Sequence, residues 1–261
     1  MHDFSSFKLS DTHAHISFPQ FDEDRQTLLD QLKDRRLSLI IEVGISVEDS
    51  LRAFDMLKDT EDLYFAAGVH PHESDSLDRE GVKKLEGLLH EISVVAVGEI
   101  GLDFFRDLSP RKKQLEVFEM QLEIAERLEK PVIVHIRDAY EEAFGILRDY
   151  TGPKGVIHAF SSDIETARRF LDLGFSLGIG GPVTYKKNDE LREVVRWSPI
   201  DSLLCETDCP YLPPVPFRGK RNQPLYIGYV IEEIANQKSL DSVSCSNTLH
   251  DNAVRLFSLD L

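Results

Sequence analysis

Six side chains of metal-ligand type stand where short apolar runs of this 261-residue chain come to an end. The run Val94-Val95-Ala96-Val97 is small or β-branched throughout, as in a strand buried on both faces. It continues into Gly98-Glu99-Ile100-Gly101-Leu102-Asp103, a carboxylate with glycines at Gly98 and Gly101. Desolvating an unpaired carboxylate costs several kcal/mol, so Glu99 needs a partner, and glycine lets one approach closely. A cation is the expected partner, and the chain offers further ligands for it.

Asp11-Thr12-His13-Ala14-His15 closes an apolar run near the N-terminus. Positions i and i+2 of a strand point the same way, so His13 and His15 can present both imidazoles to one ion. His135 ends Val132-Ile133-Val134, and Arg137 lies two residues further on the same side, where its guanidinium can grip a phosphate or form a surface salt bridge. His158 interrupts Val156-Ile157-His158-Ala159-Phe160-Ser161, and Asp208 follows Leu203-Leu204-Cys205-Glu206-Thr207. Gly68-Val69-His70-Pro71-His72 reads either as a turn with polar residues or as a substrate contact through His70 and His72. Taken singly, each position has a plainer reading as a structural hydrogen-bonding histidine or a salt-bridged carboxylate.

The elements that must carry these residues alternate from end to end. Strand-like runs span 8–13, 37–44, 63–69, 94–100, 131–136, 154–159, 175–180 and 203–207. Helical patterns fall near 22–36, 47–59, 76–91, 110–129, 139–150, 162–173, 188–197, 224–237 and 247–257. Ser109 is the expected cap and Pro110 the expected first-turn residue of the helix at 110–129, and Asp163 with Ser162 caps the one at 162–173. Eight strands alternating with helices predict a parallel sheet, and roughly 250 residues is the usual length of a closed (β/α)8 TIM barrel. The expected fold is therefore one α/β barrel domain over residues 1–261. Four histidines and two carboxylates then fall at the C-terminal ends of strands one, four, five, six and eight, the rim where barrel active sites lie. Imidazole and carboxylate without thiolate suit Zn²⁺, Mn²⁺ or a similar divalent ion. Six ligands exceed what one catalytic ion with open positions needs, which makes two ions bridged by Glu99 the natural arrangement.

With 46 acidic against 30 basic residues the formal net charge is −16, which argues against a broad electropositive nucleic-acid surface but leaves room for a site that grips one or two phosphates through metal. The three cysteines, Cys205, Cys209 and Cys245, are odd in number and lack metal or disulfide spacing, so a reducing compartment is expected. No leader pattern opens at Met1-His2-Asp3-Phe4 and no run nears a membrane span, which points to a cytoplasmic or nuclear protein. Trp197 and the phenylalanines are expected in the core rather than as base-stacking platforms.

The ordered motifs resemble the TatD family of metal-dependent hydrolases. Those that carry the resemblance are Asp11-Thr12-His13-Ala14-His15, Gly68-Val69-His70-Pro71-His72, Gly98-Glu99-Ile100-Gly101-Leu102-Asp103, His135-Ile136-Arg137, His158-Ala159-Phe160-Ser161, Glu206-Thr207-Asp208-Cys209-Pro210-Tyr211-Leu212 and Arg221-Asn222-Gln223-Pro224. They run over about residues 9–257. The resemblance implies a metal-dependent deoxyribonuclease, commonly a 3′→5′ exonuclease acting on DNA strand ends. It makes His13, His15, Glu99, His135, His158 and Asp208 the ligands of one or two Mg²⁺, Mn²⁺ or Zn²⁺ ions. Asp208 and Glu99 are then the catalytic carboxylates, and His70, His72 and Arg137 the phosphate contacts. Ser162 stands where the family often has glycine, Ala14 also departs from its pattern, and the proline-rich loop 208–224 can reshape access; none of these removes a ligand. The same scaffold can serve an ester or amide hydrolase such as an aminoacyl-tRNA deacylase, or a barrel that binds metal without catalysis.

Overall fold

The apolar runs become strands and the 3.6-residue patterns become helices. The computed structural model describes residues 4–34 and 37–259. In chain order the elements are β1 (Leu9–Ala14), α1 (Arg25–Asp34), β2 (Leu37–Val43), α2 (Val47–Leu57), β3 (Leu63–Ala67), α3 (Arg79–Leu89), β4 (Val94–Asp103), α4 (Arg111–Arg127) and β5 (Val132–Arg137). They continue with α5 (Tyr140–Asp149), β6 (Val156–Ile157), α6 (Ile164–Asp172), β7 (Ser176–Ile179), α7 (Asp189–Trp197), β8 (Leu203–Cys205), α8 (Ile227–Lys238) and α9 (Ser242–Leu256). The expectation of a helix through 35–36, and that of no leader at 1–3, lie outside the described residues.

All eight strands are parallel and neighbour one another in sequence order. Closure of the barrel comes from the chain just past β8: the Asp208 N–H donates to the His13 carbonyl at 2.9 Å and the His15 N–H to the Cys209 carbonyl at 2.9 Å. The seam between first and last strands is thus made by residues of the expected ligand set and their neighbours. Two apolar clusters hold the barrel. The larger packs the helices on the outside of the sheet. The smaller gathers alternate residues of β2, Leu39, Ile41 and Val43, with Ala66, Ala96, Ile133, Val156 and Leu204 of five other strands, and is plugged by Phe257 and Leu259 beyond α9. Alternation places one side of each strand inward, so this smaller cluster is the barrel interior.

Gly101 is required by the pairing of β4 with β5. It has φ +138°, and a Cβ there would lie 2.0 Å from the His135 carbonyl oxygen. Any larger residue would push His135 out of register with Gly101 and separate the two strands whose ends carry Glu99 and His135.

Four expectations need correction. The cap of α4 is Pro110, with no side-chain cap bond; the Ser109 hydroxyl instead donates to the His72 carbonyl at 2.7 Å and accepts from the Asp75 N–H at 3.3 Å, tying two rim loops together. Trp197 is 39 % exposed, because the buried stripe of α7 is Leu191, Val194 and Val195 and position 197 falls off it. The last helix starts earlier than 247, at Ser242, where the Asp241 carboxylate accepts from the Ser244 N–H at 2.9 Å. Strands six and eight are shorter than expected, ending at Ile157 and Cys205, so His158, Glu206 and Thr207 lie beyond them. Asp163 does cap α6, accepting from the Thr166 N–H at 2.8 Å.

Candidate metal centre

Two buried histidines at the end of β1 face one another, with Nε2 atoms 3.2 Å apart. The His15 Nδ1 donates to the Val43 carbonyl at 2.7 Å; a carbonyl only accepts, so a proton is fixed on Nδ1 and Nε2 is the ring atom turned to the site. The turn that follows is held by the buried Glu42, which accepts from the Ile16 N–H at 2.6 Å and the Ser17 N–H at 2.9 Å. Asp11 clamps the seam, accepting from the His13 N–H at 3.3 Å, the Thr207 N–H at 2.8 Å and the Thr207 hydroxyl at 2.5 Å. Burial raises the Asp11 carboxyl to about 7 against these hydrogen bonds.

Glu99 stands in the middle of the group. One of its oxygens lies 3.3 Å from His13 Nε2. The other lies 2.7 Å from His135 Nδ1, 3.6 Å from His70 Nε2 and 3.9 Å from His158 Nε2. Asp208 faces it from the far side, with Oδ1 3.5 Å from His15 Nε2, 3.8 Å from His158 Nε2 and 4.0 Å from His13 Nε2. All six expected ligands therefore converge. Two sets of three ligand atoms, His13–His15–Glu99 and His70–Glu99–His135, share the one carboxylate.

The charge balance follows from burial set against these carboxylates. Burial works to lower both His15 and His158; Asp208 and Glu99 outweigh it at His15, which rises to about 9, and Glu206, Glu99 and Asp208 outweigh it at His158, which rises to about 10. His13 and His70 are lowered, chiefly by burial. Glu99 is held well below the carboxylate range: burial opposes ionisation, but His70 and His13 stabilise the charge more. His13 and His70 thus keep their lone pairs beside an ionised carboxylate, while His15 and His158 hold protons whose place a divalent cation would take on binding.

The family model for TatD related DNases matches residues 10–258. The chain belongs to the TatD family. It is similar to the uncharacterized metal-dependent hydrolase YabD of Bacillus subtilis (strain 168), 38 % identical over 254 residues that cover 97 % of this chain and 100 % of that protein. It is also similar to the 3′-5′ ssDNA/RNA exonuclease TatD of Rahnella sp. (strain Y9602), 33 % identical over 252 residues that cover 94 % of this chain and 96 % of that one. Among solved structures, YJJV, a TatD homologue from Escherichia coli K12, superposes with a TM-score of 0.92 at 31 % identity, covering 98 % of this chain and 100 % of that one. The chain is thus a metal-dependent hydrolase of the TatD family on a TIM barrel.

The candidate donor set of this TatD member is imidazole and carboxylate alone. All three cysteines are unpaired and buried. Burial pushes the Cys209 thiol well above its ordinary value, which removes it as a nucleophile, and the Cys205 thiol donates to the Ser10 carbonyl at 3.1 Å. Arg137 is not drawn into the cluster. It lies exposed at the rim with its guanidinium 3.9 Å from the centroid of Phe105.

Two carboxylates beside the ligands carry no assignment from the sequence. Asp103 Oδ2 lies 2.8 Å from His72 Nε2 and 3.4 Å from His135 Nε2, while its Oδ1 accepts from the Phe105 and Arg106 N–H groups at 3.0 and 2.8 Å. Its place four residues after Glu99, closing a buried strand, is the signal that points to it. Glu206 accepts from the Ala159 N–H at 2.6 Å and lies 2.9 Å from His158 Nδ1, not aligned for a hydrogen bond. The His13 and His158 rings stack with centroids 3.5 Å apart, and His13 Nδ1, His158 Nδ1 and Glu206 Oε2 are all buried without hydrogen-bond partners. Gly178 makes room for this carboxylate, since a Cβ there would lie 2.3 Å from Glu206 Oε2. Carboxylates behind ligating histidines fix ring orientation, and their loss typically costs 10–100-fold in metal affinity. Glu206→Gln is accordingly expected to weaken metal binding by roughly that factor, read by titration of the metal-stripped protein with the ion; unchanged affinity would make Glu206 a packing residue only.

Proposed function

We propose that this chain hydrolyses phosphodiester bonds at the ends of single-stranded DNA, working 3′→5′ in the cytoplasm with one or two Mg²⁺, Mn²⁺ or Zn²⁺ ions. The observation that carries the reading is the convergence of His13, His15, Glu99, His135, His158 and Asp208 at one barrel rim. These residues would hold a divalent ion, which would supply polarisation of a phosphoryl oxygen and a water of pKa about 7. Asp208 takes the proton of the attacking water and Glu99 spans the two sets of ligand atoms. The name of the Rahnella relative supports the substrate class and polarity, and the three unpaired cysteines agree with a reducing compartment.

The phosphate contacts divide differently from the sequence expectation. His70 is 8 % exposed and beside Glu99, so it serves as a ligand of the second ion better than as a phosphate contact. His72, oriented by Asp103, and the exposed Arg137 remain the phosphate contacts. In the test, linear and circular single-stranded DNA of one sequence are incubated with the metal-loaded protein. Mononucleotides released from the 3′ end of the linear strand, with the circle intact, are the expected products. Rapid nicking of the circle would replace this reading with an endonuclease, and attack on neither strand would remove nuclease activity altogether.

A further inference from the structure

We infer that Phe105, backed by Arg137, is a platform on which an unpaired nucleobase of the substrate stacks beside the metal centre. The inference rests on the nuclease reading and adds to it a residue that engages the base rather than the phosphate. Phe105 lies in the loop joining β4 to α4 and is 58 % exposed. Exposure alone would say little, but the backbone that carries the ring is anchored beside the candidate ligands. The Phe105 N–H donates to Asp103 Oδ1 at 3.0 Å, and the other oxygen of that carboxylate lies 2.8 Å from His72 and 3.4 Å from His135. The register of β4 with β5 pairs Gly101 with His135 and Asp103 with Arg137. One step outward along these two strands therefore leads from the ligand histidine to an aromatic ring under a guanidinium.

The charge beside the ring matches a polyanion. Several exposed arginines of this acidic chain are paired with carboxylates of their own helix, as Arg52 with Asp49, Arg168 with Glu165 and Arg196 with Glu193. Arg106 and Arg137 are exposed and form no ion pair among the described residues, and both adjoin Phe105. Across the centre, Tyr211 is exposed and sits edge-on to His15 at 6.4 Å between ring centroids, so an aromatic side chain stands on each side of the candidate ligands. A flat apolar face with a free guanidinium next to it recognises a nucleotide unit, base on ring and phosphate on cation. Because every base has a π face, such contacts are sequence-tolerant.

The test uses the metal-loaded parent protein, Phe105→Ala and Phe105→Trp. The substrates are a linear single-stranded oligonucleotide and the same strand with abasic tetrahydrofuran units at its three 3′-terminal positions. Loss of one base–aromatic stack corresponds to roughly a 5- to 150-fold effect. Phe105→Ala should raise KM on the intact strand by a factor in that range, with metal content and Tm unchanged, and Phe105→Trp should restore the parental value. On the abasic strand the parent and Phe105→Ala should have the same KM, because the base that meets the ring is gone. An equal loss on both strands would mean that Phe105 only shapes the loop, and a KM within twofold of the parent on the intact strand would also overturn the platform. Either result leaves the nuclease reading standing if the parent cleaves; a parent that cleaves neither strand overturns both.

Discussion

Asp208→Asn should lower kcat by roughly 10²–10⁴, the range over which a positioned general base contributes. Asp208 sits just past β8 with φ 56°, and its N–H is anchored to the His13 carbonyl. The left-handed backbone turns the side chain back over the rim instead of letting it follow the strand. There one oxygen faces His13, His15 and His158, and the side chain is 14 % exposed against 5 % for Glu99. Of the two central carboxylates it is the one that water can reach while it remains next to the ligands. Asparagine keeps the shape and one oxygen but cannot accept a proton. KM should change far less than kcat, since phosphate binding is assigned to the metal, His72 and Arg137. Measuring kcat, KM and bound metal for the variant separates the cases: a kcat within a few-fold of the parent, with metal bound, would mean that Asp208 is not the base.

Glu99→Gln should have its first effect on metal content. Its two oxygens are divided between His13 on one side and His135, His70 and His158 on the other. A neutral amide there removes the one charge shared by both sets of ligand atoms, and two cations at the ~3.5–4 Å of a paired site would then repel without a bridge. Metal occupancy is expected to drop by at least one ion per chain and activity to fall with it. The side chain is isosteric, so the barrel should stay folded by circular dichroism. Elemental analysis after dialysis is the check, and unchanged metal content in the variant would assign Glu99 a structural role.

The convergence of the candidate ligands was legible because strands impose a simple rule. At the end of β1 the two-residue period suggests that His13 and His15 face together, and they do so although His15 lies just past the strand; in β4 and β5 a polar residue after an apolar run had nowhere to go but the rim. The rule fails where the chain leaves the sheet. After β8 the residues Glu206, Thr207 and Asp208 point in directions set by loop backbone, so the contact of Glu206 with His158 needs coordinates. His70 escapes the rule for the same reason: it caps a short 3₁₀ turn over Pro71–Ser76, with its Nε2 3.6 Å from Glu99. Asp103 was in view as part of a motif, yet its bridging of His72 and His135 depends on three separate segments meeting. Ser109 had a plausible local partner in the helix ahead and a better distant one at His72. Phe105 breaks the expectation that phenylalanines are core, because loop residues 104–110 follow no buried face.

The central claim, that these histidines and carboxylates form a metal centre that cuts phosphodiester bonds, is tested most directly with 3′-labelled and 5′-labelled single-stranded DNA. The protein is stripped with chelator until elemental analysis finds no metal and is then assayed with Mg²⁺, Mn²⁺ or Zn²⁺ restored one at a time. The account predicts no cleavage by the stripped protein. It also predicts recovery to different extents with the three ions, with early release of the 3′ label and progressive shortening of the 5′-labelled strand. Full cleavage by protein shown to be free of metal would contradict it.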